Sequence, residues 1–110
     1  MAAIEFTKRE RQQLRELASV VYEAELGALL GELVRSFHQW RAGTLLASEL
    51  SQTIHAFHQG ESRRLWSMYQ TLKEPEIVAR GIALGLIADD KVPHALTDKL
   101  SSLVALFRKQ

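Results

Sequence analysis

Apolar residues in this chain recur at intervals of three and four, and no segment shows the period-two alternation of a half-buried strand. The pattern predicts an all-α protein: a compact bundle of five helices, six if the first one breaks. Its most apolar stretch, Ile77 to Ala88, reads IVARGIALGLIA with Arg80 as the sole charge. A helix apolar all round must be enclosed by others. A central helix at about residues 75–88 is therefore the element the rest of the chain is expected to cover. At ~1.5 Å per residue it is far too short to span a bilayer.

The first helix is expected over about 8–41, because Thr7 and Glu10 have the spacing of a capping box and no proline intervenes. Its apolar stripe changes face partway along. Leu14, Leu17, Ala18, Val21, Ala24 and Ala28 share one side, whereas Leu26, Leu29, Leu30, Leu33, Val34, Phe37 and Trp40 lie on another. The switch falls at Gly27 to Gly31, so the helix either bends near 27–31 or packs its two halves on different partners. A second copy of the chain, crossing through the N-terminal halves, would make a homodimer of the commonest symmetry.

Gly43 and Gly60 are placed as C-caps ending the first and second helices, the second running about 46–59 and a third about 61–72. Pro75 and Pro93 open the last two helices as first-turn prolines. The glycine pairs Gly27/Gly31 and Gly81/Gly85 have the i, i+4 spacing that lets helix backbones approach, which suggests a crossing of the first and central helices.

Composition narrows this picture mainly by exclusion. The 110 residues make one domain, 1–110, with an ordinary balance of 46% hydrophobic and 25% charged residues and a formal charge of +1. Nucleic acid and membranes are thus not expected partners: the basic cluster Lys8, Arg9, Arg11, Arg15 is interleaved with Glu10, Glu16, Glu23 and Glu25. The absence of cysteine removes disulfides, thiolate metal sites and cysteine nucleophiles. The charged N-terminal run MAAIEFTKRERQ does not read as a targeting peptide, and the cytoplasm is the expected compartment.

Chemistry has few candidates. His55 and His58 are at i, i+3 on one helix, and His38 with Glu61 could complete a metal site of the His₃ or carboxylate type. Against it, the pair lacks the Glu-x-x-His repeat of di-iron bundles, since Gln52 stands where the glutamate would be. No cofactor is expected unless that metal site forms. Arg80 must reach water along its stem or pair with a carboxylate, with Glu32, Glu49 and Glu61 as partners. An internal salt bridge is the expected reading, and an anion-binding pocket the competing one. No nucleophile elbow, phosphate loop or His-Glu-x-x-His run supports an enzyme.

Two functional readings result. The leading one is a protein-protein interaction module that self-associates through the first helix, with Leu14, Leu17, Val21, Trp40 and Trp66 as interface candidates. The alternative is a metal- or anion-binding bundle, with an enzymatic role left open, using His38, His55, His58, Glu61 and Arg80.

Overall fold

A computed structural model describes residues 4–110, and among these every regular element is helical. The described residues form four helices. α1 is Lys8–Arg41. α2 (47–71) runs without a break through an α-helical segment Ala47–Phe57, a π turn His58–Ser62 and a second α-helical segment Arg63–Thr71. α3 is Glu74–Ala83 and α4 is His94–Arg108, joined by a stretch containing a 3₁₀ turn at Asp89–Lys91.

The number of helices is smaller than the sequence pattern predicts, for two reasons. First, α1 stays helical through Gly27 and Gly31, the weakest point of its pattern. Second, Gly60 does not end a helix. Phe57, His58 and Arg63 all hold right-handed helical angles, and the chain absorbs its break in periodicity as a π turn within one helix.

The chain forms two units, one made of the described residues up to Ala24 with Leu72–Gln110, the other of Glu25–Thr71. In the first unit, Leu14, Ala18 and Val21 of α1, Ile77, Val78, Ala79 and Ile82 of α3, and Leu96, Leu100 and Val104 of α4 form the core. Ile87 and Val92, from the connection between α3 and α4, are buried with them. The expected apolar helix is present and enclosed, but it stops at Ala83 rather than running to 88. Gly85 is the cause. It takes a left-handed φ of 73°, while the Leu86 amide donates to the Gly81 carbonyl (2.8 Å) and the Gly85 amide to that of Ile82 (3.1 Å). That is a Schellman cap, and Gly43 closes α1 in the same way, with Thr44 donating to Gln39 and Gly43 to Trp40.

The close helix crossing involves only one glycine of the two predicted pairs, Gly81, and nothing lies within 4 Å of a Cβ on Gly85. A Cβ on Gly81 would stand 2.6 Å from Val21 Cγ2, so α3 meets α1 at this point because residue 81 has no side chain. Gly27 and Gly31 have nothing within 4 Å of where a Cβ would be.

The start of α1 is fixed by the capping box read from the sequence. The Thr7 amide donates to Glu10 Oε1 (2.8 Å) and the Glu10 amide to Thr7 Oγ1 (3.1 Å). Lys99 of α4 adds a charge-assisted bond, Nζ to Glu10 Oε1 at 2.6 Å, and donates again to the Glu5 carbonyl. Lys99 and the Thr7 amide both favour the ionised carboxylate and hold the Glu10 pKa below its ordinary value.

Two stability predictions follow from these contacts. Gly81→Ala should lower the melting temperature by forcing Val21 aside, at a cost of about 1–3 kcal/mol. Gly27→Ala and Gly31→Ala should raise it, each adding up to about 1 kcal/mol of stability, as expected for open helix-interior sites. Thermal denaturation of the three variants checks both signs. For Glu10, a folded-state pKa below the unfolded one means that its contribution is complete above about pH 4.3 and is lost as pH falls through the lowered value. The melting-temperature gap between the wild type and Glu10→Gln should therefore be present at neutral pH and close on acidification.

Candidate functional site

The second unit, Glu25–Thr71, is a helical hairpin made by the later part of α1 and all of α2, with Ala42 to Leu46 as the turn. Tyr69, near the end of α2, donates its hydroxyl to Glu25 Oε1 at 2.6 Å, which fixes the two helices as antiparallel with their open ends together. Only Leu50, Leu65 and Tyr69 of this unit are buried apolar side chains.

The π turn decides how those three line up. At about 100° per residue, an uninterrupted α-helix would place Tyr69 roughly 100° away from Leu50. A π turn takes up one extra residue, which rotates everything after it back by roughly 100° and brings Tyr69 into line with Leu50. Leu65 then falls roughly 40° from that line. The same rotation moves Trp66 from roughly 120° to roughly 20° away from Ile54. The periodicity alone does not reveal this, because HAFHQGESRR contains a glycine and several polar residues that read equally well as a loop.

The hairpin has two different flanks. On one, a groove of about 530 Å³ is lined by Leu29, Glu32, Leu33 and Ser36 of α1, with Thr53, Phe57, Glu61 and Arg64 among the residues of α2. Apart from Trp40, which projects in line with Leu29 and Leu33, the exposed apolar residues within each helix of the hairpin lie to the other side of this groove. In α1, Leu30, Val34 and Phe37 share an arc roughly 60° wide, centred roughly 100° from the groove-lining Leu29, Leu33 and Ser36. In α2, Ile54 is displaced from Thr53, Ala56 and Phe57 in the same rotational sense, and the π turn puts Trp66 beside it. Equal rotational senses on antiparallel helices fall on the same flank. The hairpin therefore presents two parallel apolar ridges on the side away from the groove: Leu30, Val34 and Phe37, which are 45, 48 and 40% exposed, and Ile54 and Trp66, at 39 and 56%.

The interface candidates divide accordingly. Leu14 and Val21 are almost wholly buried in the first unit and Leu17 is half-buried, so these side chains of the N-terminal half of α1 belong to the core. Trp66 stands on the apolar flank, and Trp40 is exposed near the end of α1. Sequence reasoning had Leu30, Val34 and Phe37 on a common stripe but not their exposure, which depends on what α2 covers.

The metal candidates all belong to the second unit and the anion candidate Arg80 to the first. His38, His55 and His58 are exposed and none lines the groove that Glu61 borders. Among the described residues no three His, Asp or Glu side chains are placed to hold a metal ion. Arg80 belongs to the first unit, where it is half-buried and engaged rather than a free cation. No helix among the described residues is long and apolar enough to cross a membrane. Comparison with protein-family models, with curated proteins and with solved structures gives no match.

The account of the π turn is open to a direct test. Inserting one alanine after Gly60 should swing Tyr69 roughly 100° out of line with Leu50 and Glu25 and lower the melting temperature strongly. Gly60→Ala keeps the residue count and meets nothing within 4 Å, so it should be close to neutral. Thermal denaturation of the pair separates a loss of register from a simple intolerance of change at residue 60.

Proposed function

We propose that this protein is a helical interaction module whose docking surface is the two-ridged apolar flank of the hairpin Glu25–Thr71. The observation that carries the reading is the exposure of Leu30, Val34, Phe37, Ile54 and Trp66 on one side of a unit with only three buried apolar side chains. Together they leave on the order of 400 Å² of apolar surface open, within the range of the largest patches on monomers, which are often functional. Aromatic side chains such as Phe37 and Trp66 supply much of the energy at docked surfaces. Self-association, the form of interaction suggested by the rotated stripe of α1, would use this flank and not the N-terminal half of the helix.

A photo-crosslinking amino acid placed in the full-length chain at Val34 or Ile54 tests the reading. Both positions are exposed, so the substitution leaves the core intact. Cross-linked species should form from these two sites and not from Ser36 on the groove side or Ser101 on α4, and adding Phe37→Asp should suppress them. Equal yields from all four positions would overturn the proposal.

A further inference from the structure

The charges around the apolar flank narrow what can dock there, given the interaction reading above. The hairpin's four glutamates are balanced by four arginines, but the two sets are not distributed alike. Glu32 and Glu61 line the groove on the opposite flank. Glu49 reaches back to accept a hydrogen bond from the Leu46 amide at 2.9 Å, and Glu25 accepts the one from Tyr69. No glutamate is left for the apolar flank. Of the arginines, Arg64 lines the groove, whereas helical projection puts Arg41 in line with Leu30 and Val34, and Arg63 roughly 60° from Trp66. His58 falls between Ile54 and Arg63 on the same projection. Arg41, Arg63 and His58 are all exposed. The flank is thus apolar at its centre and basic at its edge.

We infer that the occupant is a single amphipathic helix of another protein, with an apolar stripe flanked by acidic residues. Three features lead to this choice. The surface consists of two ridges on adjacent antiparallel helices, a shape that receives a third helix between them. Its area is on the order of 400 Å², about half of one side of a standard protein-protein interface and suited to one helix rather than a globular face. Its rim is basic, so a second copy meeting it flank to flank would bring two like-charged rims together, whereas Asp and Glu on the incoming helix would pair with Arg41 and Arg63.

The test uses the full-length chain and two synthetic helical peptides without tryptophan. Both carry the same leucine stripe, one flanked by glutamate and the other by lysine. Binding is followed through the fluorescence of Trp40 and Trp66. The glutamate peptide should bind at least ten-fold more tightly than the lysine peptide, the difference should shrink as salt is raised, and the double variant Arg41→Glu, Arg63→Glu should reverse the preference. Equal affinities, or a preference for lysine, would overturn the inference. So would binding to phosphatidylserine vesicles without binding to either peptide, or a dimer in sedimentation that Phe37→Asp abolishes. If the peptides do not discriminate while cross-links still form at Val34 and Ile54, the interaction module stands and only the acidic helix is lost.

Discussion

Two helices in contact share a single seam, and an apolar stripe wider than that seam must leave its margins facing water. This geometric constraint governs the hairpin Glu25–Thr71. The stripe of α1 from Leu26 to Trp40 spans more of the helix than α2 can cover, so Leu29 and Leu33 turn toward the partner helix and the groove while Leu30, Val34 and Phe37 remain exposed. The first unit escapes the constraint by having a third helix. There α3 is enclosed, and the absence of a side chain at Gly81 lets it approach α1 closely against Val21.

The π turn converts that surplus into a surface. Without it, Trp66 would point away from Ile54 and Tyr69 away from Glu25, leaving the apolar residues of α2 scattered round the helix. With it, one set of side chains closes the seam through Leu50, Leu65 and Tyr69, and another forms a ridge beside it. A π turn gives up regular hydrogen bonding and is rarely kept without a structural or functional return. Here the return is twofold: the hairpin closes and its outer flank becomes continuous.

Much of the fold was legible in the residues. Thr7 and Glu10 marked the start of α1, Gly43 marked its end, and the run beginning at Ile77 marked the enclosed helix, because each depends on local chemistry that one sequence displays. The π turn was not legible, since Gly60 is chemically as suitable for a cap as for a helix interior and only the register of Tyr69 against Leu50 distinguishes them. The end of α3 at Ala83, capped by Gly85, was missed because Leu86 and Ile87 continue the apolar pattern beyond the turn. The division of α1 into a buried and an exposed stripe was half visible. The rotation at Gly27 to Gly31 could be read, but which half faced solvent depended on long-range packing. The histidines illustrate the converse: His55 and His58 had a spacing compatible with a metal ion, but a site also needs ligands from elsewhere in the chain, and none converges with them among the described residues.

The most direct test of the central claim is methyl NMR of the full-length chain as the glutamate-flanked peptide is added. Shift changes confined to Leu30, Val34 and Ile54, together with the indole signal of Trp66, would show that the two ridges act as one docking surface. Changes centred on Leu29 and Leu33 at the groove, or on Leu96 and Leu100 in the other unit, would contradict it.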